Sequence, residues 1–250
     1  MTDTATHDTW IVLGASSTIA KAFTKSVAET GAHVILAGRR LDDLKGIAAD
    51  ATARGAIAAT PVNFDARDPD TFDGIITAAK AAGGTINCAV FVGSMPAQDQ
   101  IDANPTLVDG TIADSFTGPA RFLQMLAPLM SAQGNGSIVG VGSVAGDRGR
   151  VGNYVYGAAK AGFATYLSGL RNVLGRDGVH VLTVKPGPVD TAMTRGLGDQ
   201  PFMTTADAVV EDIHKALRKK RNTLYTKWIW WPVMTIIKLI PEPIFKKMSI

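Results

Sequence analysis

Short apolar stretches alternate with longer stretches of helical periodicity along most of this chain. The apolar stretches have the length of strands and comprise residues 10–13, 33–37, 57–62, 86–92, 137–141 and 179–184. The stretches between them have the length of helices and comprise residues 17–30, 41–54, 70–82, 106–132 and 154–175. Strands that are apolar throughout and separated by helices are typical of a parallel sheet covered on both faces. The pattern predicts an α/β fold with a doubly wound parallel sheet, which binds ligands beyond the carboxyl ends of its strands.

The composition is that of a cysteine-poor globular protein. Of 250 residues, 46% are hydrophobic and 19% are charged, which is enough apolar material for a substantial core. The single cysteine, Cys88, excludes an internal disulfide framework, and the four histidines show no HxxxH or HExxH spacing, so we expect no metal site. The segment MTDTATHDTW lacks the basic and apolar regions of a signal peptide, so we expect a cytoplasmic protein.

The charged residues are distributed unevenly, although the net charge of +3 is too small to indicate a nucleic-acid partner. Residues 1–214 contain 16 Lys and Arg against 21 Asp and Glu, whereas residues 215–250 contain 9 against 1. No linker or repeat is visible before this change. We therefore expect one domain over residues 1–226, followed by an apolar and basic extension over residues 227–250.

The turn after the first predicted strand has the sequence GASSTIA (residues 14–20) and leads into a predicted helix. Small residues allow the backbone to approach a pyrophosphate, and the start of a helix offers unpaired N–H groups and a positive dipole end. An ordinary turn with Ser or Thr as the N-cap is the alternative. Only Gly14 remains of the usual three glycines, because Thr18 and Ala20 occupy the other two positions.

The end of the second predicted strand favours NADP(H) over NAD(H). Sites for NAD place a carboxylate near this strand end to bind the ribose 2′-hydroxyl. Here the strand is followed by Arg39 and Arg40, and no acidic residue occurs before Asp42. A guanidinium suits a 2′-phosphate, to which it can donate two hydrogen bonds. A solvated basic turn at the start of a helix is the alternative.

Tyr156 and Lys160 lie one helical turn apart in a predicted helix, and Ser143 follows a predicted strand thirteen residues before the tyrosine. A phenol has a pKa near 10, and a nearby ammonium lowers the pKa of that phenol enough for proton exchange with a carbonyl oxygen. Ser143 can hydrogen-bond the same oxygen. The three residues predict a site for the reduction of a carbonyl or the oxidation of an alcohol.

With these features, the chain resembles the short-chain dehydrogenase/reductase family over nearly all of residues 10–226. The matching segments are GASSTIA, AGRR, NFDARD, GSIVGVGSVAG, YGAAKAG and KPGPVDTAM. The resemblance implies a single-domain Rossmann fold and an NAD(P)-dependent oxidoreductase in which Ser143, Tyr156 and Lys160 are catalytic. It also implies a set of cofactor contacts, made by Gly14, Ser16, Ser17, Thr18, Ile19, Arg39, Arg40, Asp65, Gly93, Tyr156, Lys160, Pro186, Gly187, Val189 and Thr191.

Two positions depart from the family pattern. The family's Asn-Asn-Ala-Gly segment is replaced by VFVG at residues 90–93. The Asn that many members carry on the following helix aligns with Ser115, three residues before Gly118. That Asn normally orders a water in the proton relay, so the resemblance implies that Ser115, or the neighbouring Asp114, takes this part.

The C-terminal extension is rich in tryptophan and lysine. Residues 228–237 form a stretch of ten without a charge that contains three of the four tryptophans. This stretch is too short to cross a bilayer, which needs about 20 apolar residues. Trp at an interface and lysines around it suit a segment that lies in a membrane surface. Packing against the domain or against a partner subunit is the alternative.

The extension, together with the GDRGR and NYVYGAAKAG segments, also resembles the subgroup that contains decaprenylphosphoryl-2-keto-pentose reductase. This implies reduction of a keto-sugar carried on a polyprenyl lipid, by a peripheral protein on the cytoplasmic face of the membrane. An apolar substrate mouth is expected from Met95, Pro96, Met193, Leu197 and Phe202. The alternatives are a soluble reductase of 3-oxoacyl groups or small ketones, whose extension contacts another subunit, and a cofactor-binding scaffold without activity. The family resemblance also implies a homo-oligomer.

Overall fold

Seven parallel strands form one sheet in this computed structural model, which describes residues 7–194 and 200–248. The strands are β1 (Asp8–Leu13), β2 (His33–Gly38), β3 (Ala58–Asn63), β4 (Thr85–Val90), β5 (Ser137–Val141), β6 (His180–Lys185) and β7 (Thr223–Tyr225). They lie in the order β3-β2-β1-β4-β5-β6-β7, and every neighbouring pair is parallel. The strand order reverses between β1 and β4, which is where sheets of this kind bind their ligands.

Helices cover both faces of the sheet. They are α1 (Thr18–Ala28), α2 (Leu41–Ala53), α3 (Phe72–Ala82), α4 (Gln98–Ala103), α5 (Leu107–Ile112), α6 (Gly118–Gln133), α7 (Tyr154–Leu174), α8 (Ala206–Arg218), α9 (Trp230–Leu239) and α10 (Glu242–Phe245). Buried residues of α1, α2 and α8 form the core on one face, and those of α3, α6 and α7 form the core on the other. The predicted single-domain, doubly wound Rossmann fold is confirmed.

The strands read as continuous apolar runs because both faces of the sheet are buried. Along β1, Trp10 and Val12 belong to one core, whereas Ile11 and Leu13 belong to the other. Side chains alternate between the faces of a strand, so residues 10–13 are apolar on both faces of β1. The buried Thr9 before them donates a hydrogen bond to the carbonyl oxygen of Gly83. The six predicted strands and five predicted helices are all present, and their ends differ by at most two residues, apart from the helix predicted over 106–132.

The helix predicted over 106–132 is interrupted by a π-helical turn at Ala113–Thr117, which separates α5 from α6. Pro119, at the start of α6, has no N–H with which to continue the regular hydrogen-bond pattern. The turn buries Asp114 and Ser115. Such turns are rare and occur frequently at functional sites, so this irregular segment is relevant to the chemistry of the protein.

Candidate active site

A cavity of about 500 Å³ opens at the carboxyl edge of the sheet, where the strand order reverses. The segments that follow β1, β4, β5 and β6 line it, together with the start of α7. Twelve of the residues predicted for catalysis or cofactor binding line this cavity: Ser16, Ser17, Thr18, Ile19, Gly93, Ser143, Tyr156, Lys160, Pro186, Gly187, Val189 and Thr191. Residues from five separate parts of the sequence therefore meet at one site.

The turn after β1 is shaped to approach a bound group closely. Gly14 has a positive φ of 74°, and a Cβ there would lie 3.1 Å from the backbone carbonyl carbon and oxygen of Phe91. Ser17 is the N-cap of α1, because its hydroxyl accepts a hydrogen bond of 3.3 Å from the N–H of Ala20. The capping role considered as an alternative is thus present, and the same turn lines the cavity. The turn and the positive end of α1 can hold an anionic group such as a pyrophosphate.

Arg39, Arg40 and Asp65 lie at the same edge of the sheet but outside the cavity lining. Arg39 is exposed and has no hydrogen-bond or ion-pair partner among the described residues. Arg40 forms an ion pair of 2.7 Å with Asp43 in the first turn of α2. The Asp65 carboxylate accepts a hydrogen bond of 2.9 Å from the N–H of Arg67. Of the two arginines, Arg39 is therefore the one whose guanidinium is uncommitted.

Ser143, Tyr156 and Lys160 come together because the loop after β5 packs tightly on the first turns of α7. A Cβ at Gly157 would lie 2.8 Å from the carbonyl oxygen of Ala145. A Cβ at Gly146 would lie 2.7 Å from the backbone nitrogen of Ala161. The absence of side chains at both glycines lets the loop and the helix approach, and it brings the Ser143 hydroxyl into hydrogen-bonding contact with Tyr156.

Lys160 is held rigidly below the cavity. It is 4% exposed, and its Nζ donates hydrogen bonds of 3.0 Å to the carbonyl oxygen of Val141 and of 3.2 Å to that of Val92. The same Nζ lies 5.8 Å from the centroid of the Tyr156 ring. Two backbone carbonyls at the ends of β5 and β4 thus fix the ammonium group beside the phenol.

Burial dominates the acid–base properties of the pair. Burial raises the pKa of Tyr156 to about 12, and the hydrogen bond from Ser143 opposes this rise only in part. Burial also lowers the pKa of Lys160 to about 8. Lys160 was expected to lower the pKa of Tyr156, but in the protein alone burial raises that pKa instead. The tyrosine stays protonated at neutral pH and is suited to donate a proton.

Ser115 in the π-helical turn lies next to Lys160 across Gly93. The Ser115 side chain is fully buried, and its Oγ donates to the carbonyl oxygen of Ser94 and accepts from the N–H of Ser94, both at 3.2 Å. A Cβ at Gly93 would lie 3.1 Å from the Nζ of Lys160 and 3.3 Å from the Oγ of Ser115. Glycine at position 93 therefore keeps these two polar groups adjacent.

Asp114, the alternative relay residue, is committed elsewhere. Its carboxylate accepts two hydrogen bonds of 2.8 Å from the guanidinium of Arg67. The carboxylate is largely buried, whereas the arginine is half-exposed. This bidentate pair fixes the start of the π-helical turn, and it leaves Ser115 as the side chain of that turn that lies beside Lys160.

Comparison with known proteins agrees with this geometry. Residues 8–201 match the sequence profile of the family described as short chain dehydrogenase. The chain belongs to the short-chain dehydrogenase family. It is 31% identical over 239 residues to an uncharacterized oxidoreductase of Mycobacterium tuberculosis, a match that covers 95% of this chain and 96% of the relative. The protein is an oxidoreductase.

Two solved structures of short-chain dehydrogenases share the fold. The first, from Sphingobium yanoikuyae in complex with NADPH, has a TM-score of 0.81 and 21% sequence identity, and the match covers 94% of this chain and 97% of that one. The second, from Burkholderia cenocepacia in complex with NADP, has a TM-score of 0.83 and 18% identity, and the match covers 97% of both chains.

In this short-chain dehydrogenase, the C-terminal extension forms part of the cavity wall. Trp230, the first residue of α9, is 6% exposed and lines the cavity. A Cβ at Gly187 would lie only 2.0 Å from the Nε1 of its indole, so the ring rests directly on the segment after β6. The ring of Phe202 meets the indole edge-on, with centroids 5.9 Å apart. Trp230 is a site residue that the sequence analysis missed.

The extension is also tied to the loop that carries Ser143. Met234 is fully buried and packs with Trp230 against Val144, the residue after Ser143. From the same loop, the Nη1 of Arg148 donates hydrogen bonds of 2.6 Å to the carbonyl oxygens of Ile237 and Ile240. Both carbonyls lie at the end of α9, and Arg148 caps this end of the helix.

The outer face of the extension is exposed and apolar. It carries Trp228 (78% exposed), Trp231 (62%), Ile236 (65%), Leu239 (75%) and Ile244 (57%). The inner face of this segment packs on the domain, as one of the two expectations has it. The outer face is not covered by any of the residues that the structure describes. In the part of the chain that the structure describes, no helix is long and apolar enough to cross a membrane.

The predicted substrate mouth is present in part. Met95 and Met193 line the cavity, whereas Pro96 and Phe202 lie outside its lining. Leu197 lies outside the described residues. Arg150 and Asn153 also line the cavity, and the sequence analysis did not single them out. Their position in the sequence offered one signal, because both lie in the segment that joins Ser143 to the start of α7.

Proposed function

We propose that this protein is an NADPH-dependent ketoreductase that acts on an amphipathic carbonyl compound. The observation that carries the proposal is the convergence of Ser143, Tyr156 and Lys160 at one end of a largely apolar cavity that also reaches the start of α1. A polar end suits a carbonyl group, and apolar walls suit the rest of an apolar molecule. The α1 end suits the phosphates of a dinucleotide.

The chain's own residues perform the acid–base half of the reaction. Ser143 and Tyr156 donate hydrogen bonds to the substrate carbonyl oxygen, and Tyr156 then transfers its phenolic proton to that oxygen. Bound NADPH supplies the hydride that reaches the carbonyl carbon. Burial holds the pKa of Tyr156 near 12, so the proton is present before the reaction. Lys160 stabilises the phenolate that remains, and Ser115 lies beside Lys160 to return a proton through solvent.

The preference for NADP(H) rests on Arg39. Its guanidinium follows β2, next to the strand that carries the phosphate-binding turn, and no described residue pairs with it. A free guanidinium at this strand end suits the 2′-phosphate that distinguishes NADP from NAD. Two structural neighbours were solved with NADPH or NADP, which supports the same choice.

The substrate class is proposed from the extension. Exposed Trp228 and Trp231, with Lys238, Lys246 and Lys247 around them, suit an anionic membrane surface, where each basic residue gains about 1 kcal/mol. Because the same extension walls the cavity through Trp230, a membrane contact would hold the active site close to lipid-linked substrates. A keto-sugar on a polyprenyl carrier, as the subgroup resemblance implies, has this character.

Turnover of NADPH with a panel of ketones tests the reaction. We expect the full chain to oxidise NADPH only when a ketone is present, and Tyr156→Phe to lose about a hundredfold to ten-thousandfold of this activity while still binding NADPH. Tyr166→Phe, on the outer side of the same helix, is the matched control. NADPH binding without turnover on any ketone would instead support the catalytically silent scaffold.

Vesicle flotation tests the membrane contact. We expect the full chain to float with vesicles that contain phosphatidylglycerol, and the Trp228→Ser/Trp231→Ser double variant to stay at the bottom. Val173→Ser removes an equally exposed apolar side chain from α7 and should float like the parent chain. Flotation that is unchanged in the double variant would refute the contact. A dimer lost in the double variant, without flotation of the parent, would support the soluble reductase with a subunit contact.

A further inference from the structure

The segment between Ser143 and Tyr156 presents two polar groups whose bonding is incomplete. The Nε of Arg150 and the Oδ1 of Asn153 are both buried, and neither has a hydrogen-bond partner among the described residues. Both side chains line the cavity. Buried polar atoms without a partner are rare in folded proteins and each calls for an explanation. Two in one short segment of an active-site wall indicate that a ligand completes their bonding.

Among residues 7–194 and 200–248, no carboxylate forms an ion pair with Arg150. The only described carboxylate whose charge acts on it is that of Asp147, and no ion pair joins the two side chains. Asp147 is committed to other groups, because it accepts hydrogen bonds of 2.5 Å from Lys185 and of 2.7 Å from Tyr225. A partly buried guanidinium that stays charged and unpaired destabilises the free protein, and an anion bound in the cavity would remove this cost.

The position of Arg150 places it on the substrate side of the cavity. It lies six residues before Tyr156, in the segment that connects the two hydroxyl groups which contact the carbonyl oxygen. The turn that suits cofactor phosphates follows β1, whereas Arg150 follows β5, on the far side of β4. The two elements that suit an anion therefore follow different strands and line the cavity from different sides of β4.

We propose that Arg150 binds an anionic group of the carbonyl substrate, a phosphate ester or a carboxylate, while Asn153 accepts a hydrogen bond from a neighbouring hydroxyl. This inference rests on the proposed ketoreductase function and deepens it, since it assigns charge to the substrate. The guanidinium donates hydrogen bonds to the anion and needs no conformational change of the backbone. The substrate thus combines an apolar part, a carbonyl group and a negative charge.

Three aryl ketones of similar shape test the assignment in the full chain with NADPH. Para-acetylphenyl phosphate and para-acetylbenzoate carry the two anionic groups, and para-methylacetophenone is neutral. We expect Arg150→Gln to lower kcat/KM for the better anionic ketone on the order of tenfold to a hundredfold, mainly through KM, and to leave the neutral ketone within about twofold. Arg150→Lys should recover part of the loss. Arg176→Gln, exposed at the far end of α7, is the charge-matched control.

Binding measured without turnover separates this inference from the proposed function. In a Tyr156→Phe background, quenching of tryptophan fluorescence reports binding in the cavity, because Trp230 lines it. Charge-dependent binding that Arg150→Gln abolishes would support the subsite even if no ketone is reduced. Equal losses for charged and neutral ketones, or no loss for either anion, would overturn it. The ratio between the phosphate ester and the carboxylate tells which anion the subsite prefers.

Discussion

From the contact between Gly187 and Trp230 we predict that the methyl group added by Gly187→Ala will push the Trp230 indole, and with it the C-terminal extension, away from the active site. A Cβ at position 187 would lie 2.0 Å from the Nε1, 2.3 Å from the Cε2 and 2.7 Å from the Cδ1 of the indole. Carbon atoms in contact prefer separations of about 3.5–4.0 Å, so Gly187→Ala requires the indole to move by about 1.5 Å or more. Trp230 sits between this backbone and Phe202, and such a shift moves the indole out of its place in the cavity wall.

The expected cost follows from known substitutions of this kind. Overpacking of a well-packed contact costs about 1–3 kcal/mol, and each kcal/mol lowers Tm by about 2–4 °C in a domain of this size. We expect Gly187→Ala to lower Tm accordingly and to raise KM for an apolar ketone, since one cavity wall is displaced. Circular dichroism and NADPH turnover measure the two effects. Gly169→Ala, whose Cβ would meet nothing within 4 Å, is the matched control and should not lower Tm.

A double-mutant cycle isolates the contact. Trp230→Ala removes the indole and has its own cost, but it also makes room for the new methyl group. In the double variant, we therefore expect Gly187→Ala to cost at least 1 kcal/mol less than it does alone, which is the signature of coupled neighbours. Additive losses, within about 0.5 kcal/mol, would refute the reasoning, because they would mean that the indole does not rest on Gly187 in solution.

Three further results are expected. Arg39→Asp should shift the ratio of kcat/KM from NADPH toward NADH, and an unchanged affinity for NADPH would count against the cofactor assignment. Burial lowers the pKa of Lys160 to about 8, so between about pH 8 and pH 10 the unfolded chain binds more protons than the folded chain, and Lys160 makes the free energy of unfolding rise with pH. In denaturant titrations, the stability advantage of Lys160→Met over the parent should therefore shrink as the pH rises from about 8 to about 10. A difference that stays constant would contradict this. Arg148→Met should loosen the extension and speed tryptic cleavage after Lys238, whereas Arg176→Met should not.

The sheet could be predicted from the sequence because both of its faces are buried. The strands are largely apolar, and the segments between them repeat their apolar residues at helical spacing. The local sequence pattern therefore agrees with the overall fold. The three-residue strand β7 gave no such signal, because it is too short to show a period. The helix α8 was not assigned either, although Val209, Val210 and Ile213 recur at helical spacing and form its buried face.

The meeting of Tyr156 and Lys160 at one cavity was predictable for a different reason. Tyr156 and Lys160 are one turn apart on a single helix, so sequence distance translates directly into spatial distance. The direction of the Tyr156 pKa shift was not predictable in the same way, because it depends on burial by segments distant in the chain. Local spacing determines which groups meet, and the tertiary structure determines how much water is left around them.

The C-terminal extension shows where local pattern stops being informative. Trp228, Trp230 and Trp231 are alike in the sequence, and no charged residue between them marks a polar face. In the structure, Trp230 and Met234 share the inner face of α9 because they are four residues apart, and Trp231 consequently points away from the domain. Val144, about 90 residues earlier, packs against this face, and Arg148 from the same loop holds the end of α9 by its carbonyl oxygens. A contact over such a distance leaves no periodicity in the sequence. The role of the extension in the active site therefore emerges only once the loop after β5 and α9 are seen together.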